Sequence, residues 1–179
     1  MLIATKCGLV WDHMFTEDQR KALSIRHVLK KESILRECEA SLDRLGSDYI
    51  DLYQVHWPIT DHSVEDAFAT LQDLKTEGKI RAIGISNHGV QQMEKIVWTG
   101  CPVASNQLCY NLLTRAIELE VLPYCRKHGM RVIAYMAPMQ GLNGPGGLMV
   151  EDGWILAVGK DVTRDSVGAS ATVVDCKGR

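Results

Sequence analysis

Short apolar segments and amphipathic segments alternate along most of the chain. Five runs have the length of a strand and are rich in β-branched residues. These predicted strands are Leu2–Thr5, Ile50–Val55, Ile80–Ile85, Val103–Gln107 and Arg131–Tyr135. Because helical patterns separate the strands, the chain is predicted to be an α/β protein whose strands run parallel and are joined by right-handed crossovers.

Three segments between the strands repeat apolar residues every three or four positions, as a helix with one buried face does. Their apolar positions are Ile34, Cys38, Ser41, Leu42 and Leu45; Val64, Ala67, Phe68, Leu71 and Leu74; and Ile117, Val121, Leu122 and Cys125. Glu32 and Ser33 are predicted to open the first helix, and Ser63 with Asp66 resembles a capping box for the second. Gly46, Gly78 and Gly129 are predicted to close the three helices.

A polar residue stands at the end of each predicted strand. These residues are Lys6, His56, Ser86 with Asn87, Gln107 and Tyr135. Strand and helix alternation alone leaves two architectures open, a doubly wound sheet and a closed barrel. In a barrel enzyme the acting residues lie where strands end and the following loops begin, so the polar set favours a TIM-type (β/α)8 barrel with one functional rim.

Composition narrows the choice of partners and location. The 179 residues carry a formal net charge of -2 with both signs interspersed, which argues against nucleic acid binding. No apolar stretch is long enough to cross a membrane, and Met1–Lys6 does not resemble a signal peptide, so a cytoplasmic protein is expected. The six cysteines lack metal-binding spacing, which predicts reduced thiols and no metal site.

Three segments in order resemble signatures of the aldo-keto reductase family. They are Ala4–Lys6, Ser41–Pro58 and Glu77–Asn87, and the segments Asn106–Leu113 with Arg115 and Val132–Tyr135 with Gln140–Leu142 extend the match. The resemblance implies a (β/α)8 barrel that is incomplete in this chain. Residues 1–142 are expected to form the partial barrel, and residues 143–179 form a tail that does not align.

The resemblance implies an NADPH-dependent oxidoreductase that reduces aldehyde or ketone carbonyls of a small-molecule substrate. In the family a tyrosine donates the proton, a lysine lowers the pKa of that tyrosine, an aspartate partners the lysine and a histidine orients the carbonyl. Lys6 and His56 match the lysine and the histidine. Such groups are what the reaction needs, because hydride arriving at a carbonyl carbon leaves negative charge on oxygen.

Cofactor contacts follow from the same resemblance. Ser86, Asn87 and Gln107 match the groups that hydrogen-bond the nicotinamide carboxamide, and Tyr135 matches the aromatic residue that stacks on the ring. The segment with Met136, Pro138 and Gly141 resembles the loop over the pyrophosphate, although Met136 stands where the family usually has serine.

Two departures from the family pattern weaken the expected activity. The strands that bring the catalytic tyrosine and aspartate would precede Met1, and the tail after Leu142 lacks the family pattern. Impaired reduction is therefore expected. The alternatives are a nicotinamide-nucleotide-binding pseudoenzyme and a non-functional truncated product. An open piece of a barrel would also expose unpaired sheet edges, through which self-association is possible.

Each candidate residue also has a structural interpretation. Lys6 could be a solvated surface residue and His56 a core side chain, but their places in the motifs favour functional roles. Ser86 and Asn87 could cap the next helix. Gln107 and Tyr135 could serve only packing and hydrogen bonding. The remaining histidines, His13, His27, His62, His88 and His128, are expected on the surface or in loops without a role.

Overall fold

The computed structural model describes residues 2–10, 26–59, 62–111, 113–136, 147–151 and 154–159, the last two segments by their backbone only. The chain divides into two compact units. The first contains residues 1–108 and 118–133, and the second contains residues 109–117 and 134–179. The candidate site described below lies in the first unit.

Five strands form one sheet in the order in which they follow one another along the chain. They are β1 (Ala4–Cys7), β4 (Ile50–Val55), β5 (Ile80–Ser86), β6 (Val103–Cys109) and β7 (Arg131–Tyr135). The ladders from β1 to β6 are parallel. A doubly wound sheet would reverse its strand order, whereas a barrel adds each strand beside the last, so the predicted barrel topology is confirmed over these strands.

The five predicted strands are confirmed, with one shift at the start. The first strand begins at Ala4, two residues later than the sequence pattern indicated. A separate antiparallel pair, β2 (Leu9–Val10) and β3 (Arg26–His27), follows β1. Within the described residues β1 and β7 form the edges of the five-stranded sheet, and self-association through them stays a prediction.

Among the described residues, four α-helices and one 3₁₀ turn connect the strands. They are α1 (Lys31–Leu45), α2 (Val64–Thr76), α3 (Val90–Trp98), the 3₁₀ turn Ala116–Glu118 and α4 (Val121–Lys127). The first two helices contain the predicted apolar sets. The third predicted helix is wrong as a single element, because its residues divide between the 3₁₀ turn and α4.

The predicted start of α1 differs from the structure, whereas the predicted end of α1 and the predicted start of α2 agree with it. Gly46 ends α1 in the left-handed conformation with φ 58°, which glycine adopts without strain. The Ser63 hydroxyl accepts the Asp66 N–H at 3.1 Å at the start of α2. The prediction that Glu32 and Ser33 open α1 is wrong: the helix begins at Lys31, and the buried Ser33 hydroxyl donates to Glu37 instead.

The core of the first unit lies between the helices and the outer face of the sheet. Residues of β4 and β5 that alternate along the strand, such as Tyr53, Val55, Ile83 and Ile85, are fully buried there. Side chains of the helices complete this layer, among them Ile34, Cys38, Phe68, Leu71, Leu74, Met93 and Ile96. The intervening strand positions face the other side of the sheet, the inner face.

A β-bulge sets which residues of β6 reach the inner face. Ile83 pairs with Val103 but Gly84 pairs with Ser105, so Ala104 is an extra residue on β6. Without it, strict alternation would place Val103 and Ser105 on one face. The bulge keeps Val103 in the core and turns Ser105, and with it Gln107, to the inner face beside Gly84.

The second unit contains an antiparallel pair, β8 (Gly147–Glu151) and β9 (Trp154–Gly159). The apolar run Trp154–Val158 is therefore part of β9. Residues 160–179 lie outside the described residues, and the expected boundary at residue 142 stays a prediction. No helix in the described part of the chain is both long and apolar enough to cross a bilayer.

Candidate functional site

Hydrogen bonds join the ends of β5 and β6 at the rim of the sheet. The Ser86 hydroxyl donates to the backbone carbonyl of Gln107 at 2.9 Å. The Asn87 backbone N–H donates to the same carbonyl, also at 2.9 Å. Two donors on one acceptor fix the backbone of Gln107 against the loop after β5, so the three residues predicted to bind a carboxamide are neighbours.

Asn87 connects this pair of strands to β4. Its side-chain Nδ2 donates to the His56 carbonyl and to the Ser86 hydroxyl, each at 3.1 Å. The backbone of Asn87 has φ 62°, a left-handed conformation that asparagine tolerates better than most residues. The His56 N–H in turn donates to the Cys7 carbonyl at 3.0 Å. A continuous set of bonds therefore runs from β1 to β6 along the rim.

The alternative that Ser86 and Asn87 cap the next helix is wrong. The residue that caps α3 is Gly89, and its backbone N–H donates to Gln92 Oε1 at 3.0 Å. Ser86 and Asn87 use their side chains for the rim bonds instead. Their polar groups are thus directed along the ends of the strands.

Lys6 lies on the inner face at the end of β1. Its neighbours Cys7 and, across the ladder, Tyr53 and Val55 are buried against the helices, so alternation places Lys6 on the opposite side with its register partner Gln54. Lys6 is half-buried, and no hydrogen bond or ion pair joins it to another described residue.

His56 follows β4 and is half-buried beside Lys6. Burial lowers the pKa of His56 below its ordinary value, and the positive charge of Lys6 and the neighbouring His27 lower it further. The imidazole is therefore neutral at neutral pH. A neutral imidazole donates one hydrogen bond without carrying a charge, which suits it to hold a carbonyl oxygen.

Trp57 and His27 form an aromatic wall next to His56. The rings of His56 and Trp57 are stacked with centroids 6.5 Å apart, and the centroids of the His27 and Trp57 rings lie 6.3 Å apart. Trp57 is 41% exposed. His27, which had no expected role, reaches the rim because β3 pairs with β2.

His88 lies in the loop between β5 and α3, as expected, but it is not a surface residue and it has a structural role. The side chain is 2% exposed and its Nδ1 lies 2.7 Å from the Ser86 carbonyl. Burial lowers the pKa of His88 to about 4. Asn106 Nδ2 donates to the His88 carbonyl at 2.8 Å. His88 therefore supports the loop that carries Ser86 and Asn87 from the helix side.

Glu37 anchors the turn that follows Lys6. Its Oε2 accepts the Gly8 N–H at 2.9 Å and its Oε1 accepts the Ser33 hydroxyl at 2.8 Å. Burial raises the pKa of Glu37, and these two hydrogen bonds oppose the rise. The carboxylate thus links α1 to the end of β1, at a position that no sequence motif indicated.

The other predicted cofactor contacts belong to the second unit or lie outside the described residues. Tyr135 and Met136 belong to the second unit, where the Tyr135 carbonyl accepts the Tyr110 N–H at 3.3 Å and the Met136 carbonyl accepts Asn111 Nδ2 at 3.2 Å. Met136 has φ 57°. Pro138 and Gly141 lie outside the described residues. The roles of these four residues stay predictions.

The rim supplies hydroxyl, amide and carbonyl groups rather than a metal site. Within the described ranges, no three histidine, cysteine, aspartate or glutamate side chains gather as metal ligands would. The described cysteines are free thiols. Hydroxyl and amide groups that both donate and accept hydrogen bonds fit a carboxamide, which has one acceptor and one donor group. A cation and a neutral imidazole beside them fit an oxygen that gains negative charge.

A parallel sheet with consecutive strand order and a polar rim at the strand ends is the architecture of a (β/α)8-barrel enzyme. Sequence comparison specifies the class further. The Aldo/keto reductase family matches residues 1–144. The chain belongs to the aldo/keto reductase family.

Two bacterial relatives illustrate the similarity. The chain is 39% identical over 148 residues to an NADH-specific methylglyoxal reductase of Escherichia coli, covering 79% of this chain and 44% of the relative. It is 37% identical over 142 residues to the aldo-keto reductase YhdN of Bacillus subtilis, covering 79% and 40%. The chain thus spans less than half the length of these relatives.

Solved structures agree in fold. A glycerol dehydrogenase from Gluconobacter oxydans matches with a TM-score of 0.69 and 36% identity, over 75% of this chain and 40% of that structure. An aldo-keto reductase from Klebsiella pneumoniae in complex with NADPH matches with a TM-score of 0.56 and 37% identity, over 60% and 38%. Both structures share the barrel fold of the family. This chain corresponds to a part of that barrel.

Proposed function

We propose that this chain provides the lysine, the histidine and the carboxamide-binding groups of a nicotinamide-dependent carbonyl reductase. The observation that supports this most is the rim set in which Asn87 joins His56, Ser86 and Gln107. Binding and orientation are the main tasks of such a set, because hydride transfer requires a fixed distance and angle between donor and acceptor carbons.

The proposed roles follow from the chemistry of each group. Ser86, Asn87 and Gln107 bind the carboxamide and so fix which face of the nicotinamide ring is presented. The neutral His56 donates a hydrogen bond to the substrate oxygen, and the Lys6 ammonium stabilises the negative charge that develops there. A bound reduced nicotinamide supplies the hydride. The aromatic wall of Trp57 and His27 borders the space beside that oxygen.

We propose a small dicarbonyl compound, such as a 2-oxoaldehyde, as the substrate and NADPH as the cofactor. Relatives include methylglyoxal reductases of Escherichia coli and a glyoxal reductase of Bacillus subtilis. The NADPH complex of the Klebsiella pneumoniae enzyme supports the cofactor. The NADH-specific Escherichia coli relative makes NADH the cofactor to be compared with it.

A second function, nucleotide binding without turnover, is favoured by the tyrosines of the first unit. The hydroxyl of Tyr53 points into the helix layer towards the Ile34 carbonyl. The ring of Tyr49 lies under Arg81 at the other end of the sheet, and Tyr124 stacks on His128 in the helix layer. These three tyrosines therefore do not accompany Lys6 at the rim, where the family uses a tyrosine as the proton donor.

The test measures binding and turnover on the same purified protein. Binding of NADPH and NADH is followed by titration, and consumption of each is then measured with methylglyoxal. The proposed reductase predicts binding and a rate that Lys6→Met and His56→Gln both abolish. Binding without a measurable rate supports the second function, and absence of binding contradicts both. Lys95→Met on the exposed face of α3 is the matched control, for which we expect no change.

A further inference from the structure

A buried glutamine, Gln54, contacts the side chain of Gln107 in the candidate site. Gln54 lies on the inner face of β4, two residues before His56, and is 2% exposed. Its Nε2 donates to the side-chain Oε1 of Gln107 at 3.0 Å. Its own Oε1 is buried and finds no hydrogen-bond partner among the described residues. A buried oxygen without a partner is unfavourable, so the orientation of this amide needs a cause.

The stem of Gln54 is confined by the neighbouring strands. A Cβ atom at Gly84 would lie 2.8 Å from Gln54 Cγ and 2.9 Å from the Ser105 hydroxyl. Glycine at position 84 therefore leaves space that the stem of Gln54 occupies. The terminal amide can still turn end for end, because its shape changes little and its torsion is soft. Which end faces Gln107 is decided by polar neighbours.

Two arrangements of the amide pair are possible. In the first, Gln54 donates to Gln107 Oε1 and the Gln107 NH₂ group is left to face the rim. In the second, both amides are reversed, so that Gln107 donates to Gln54 and its carbonyl faces the rim. The structure has the first arrangement. The two differ in what Gln107 offers to a ligand, a donor in the first and an acceptor in the second.

Lys6 favours the first arrangement. It is the register partner of Gln54 on β1 and projects to the same inner face. A positive charge attracts the carbonyl end of a neighbouring amide and repels its NH₂ end. The carbonyl of Gln54 is the end turned away from Gln107, and it lacks a hydrogen bond among the described residues. Attraction to the Lys6 ammonium would offset that missing bond.

We propose that Gln54 is a positioning residue, which transmits the orienting effect of Lys6 to Gln107 and thereby presents the Gln107 NH₂ group to the oxygen of the nicotinamide carboxamide. This inference rests on the proposed function. It adds a specific polarity to the site, because Gln107 then recognises the carboxamide oxygen and has no need of the carboxamide nitrogen.

The test uses two ligands that differ at that nitrogen. NADP⁺ has a carboxamide, and its 3-acetylpyridine analogue has the same oxygen with a methyl group in place of NH₂. With Gln107 acting as a donor to the oxygen that both ligands share, its contribution is the same for both, so the ratio of dissociation constants in the unsubstituted protein is the reference for the variants. The ratio of the two constants is the readout, because loss of folded protein affects both equally.

Two substitutions should change this ratio. In Gln54→Glu the carboxylate only accepts hydrogen bonds, so Gln107 must reverse and offer its carbonyl. The carboxamide of NADP⁺ can then donate an N–H to Gln107, whereas the analogue has no N–H to donate. The affinity for the analogue should therefore fall by about tenfold relative to the affinity for NADP⁺. Lys6→Met leaves Gln54 intact but removes the charge, and should shift the ratio in the same direction by a smaller factor.

Gln91→Glu, on the exposed face of α3, is the matched control and should leave the ratio unchanged. Gln54→Met keeps the side-chain volume but has neither the carbonyl nor the NH₂ group, so the ratio of dissociation constants should lie between those of the unsubstituted protein and Gln54→Glu. This variant tests the inference if Gln54→Glu does not fold. An unchanged ratio in the Gln54 variants or in Lys6→Met, with NADP⁺ still bound, overturns the inference alone. Absence of NADP⁺ binding to the unsubstituted protein overturns the proposed function and the inference with it.

Discussion

The two ends of the parallel sheet are held together by different chemistry. At the end where strands begin, the Asp51 carboxylate accepts the Ile3 N–H at 2.9 Å and pairs with Arg81 at 3.0 Å. The Arg81 guanidinium lies 3.6 Å from the centroid of the Tyr49 ring. At the end where strands finish, the bonds among His56, Ser86, Asn87 and Gln107 join hydroxyl, amide and carbonyl groups.

The two kinds of interaction differ in how strictly they depend on geometry. Charged groups near water interact over a range of distances and are screened by salt, so their geometry is not exacting. Neutral hydrogen bonds at a partly buried rim depend closely on distance and angle. We therefore expect substitutions at the strand starts to affect stability slightly, and substitutions at the strand ends to affect both stability and ligand binding.

The largest expected effect is at the inner face under the rim. Gly84→Ala puts a methyl group within 2.9 Å of two side-chain atoms, so Gln54 or Ser105 must move. We expect the free energy of unfolding to fall by about 3 kcal/mol, as measured by urea denaturation, together with loss of NADPH binding. Gly78→Ala is the control, since position 78 has φ 81° but open space around it, and should cost about 1 kcal/mol.

At the rim itself, two substitutions of Asn87 distinguish the cost of backbone strain from the cost of a lost side-chain hydrogen bond. Asn87→Ala loses the bond to the His56 carbonyl and places alanine in a left-handed conformation, which should lower the free energy of unfolding by about 2 kcal/mol. Asn87→Gly loses the same bond without the strain. We expect glycine to recover much of the stability and none of the NADPH affinity. Equal binding by both variants and the unsubstituted protein would remove Asn87 from the site.

Acid should weaken the rim through His88. Because its pKa in the folded protein lies near 4, below the ordinary value, His88 contributes stability above about pH 6.5 that is lost as the pH falls towards 4. From pH 7 to pH 5 this loss should be about 2 kcal/mol. Chemical denaturation at both pH values measures it. In His88→Asn, which keeps an N–H donor but does not titrate, the difference between the two pH values should shrink by that amount.

The smallest effect is expected at the strand starts. Asp51→Asn keeps an acceptor for the Ile3 N–H and loses the ion pair with the exposed Arg81. We expect a small decrease in melting temperature that disappears at 1 M salt, and unchanged NADPH binding. If this variant impaired binding as much as Asn87→Gly, the proposed division between the two ends would be wrong.

Sequence patterns predicted the elements and the rim residues because these depend on periodicity and on strand ends. Ile50–Val55 and Arg131–Tyr135 match their predicted bounds. The roles of Gln54 and His88 were not apparent, because each depends on a contact between distant strands or between the sheet and a helix. Alternation could have indicated Gln54, since it lies two residues before His56 and so shares its face.

The bulge at Ala104 explains why the inner face could not be read completely from the pattern. Strict alternation from the buried Val103 would turn Ser105 and Gln107 towards the helices. Gln107 was nevertheless predicted at the rim, because that prediction used its position at the end of a strand. It did not depend on which face of the sheet the side chain occupies. Helix starts were less predictable, as Ser33 shows: serine suits a cap, but here its hydroxyl bonds to Glu37 one turn later.

The most direct test of the central claim is a thermal unfolding scan of the purified protein with and without NADPH, beside Asn87→Gly. A ligand that binds only the folded state raises the unfolding temperature. We predict a cooperative transition that NADPH shifts upward in the unsubstituted protein and leaves unshifted in Asn87→Gly. A transition that is indifferent to NADPH in the unsubstituted protein would contradict the assignment of the rim as a nicotinamide site.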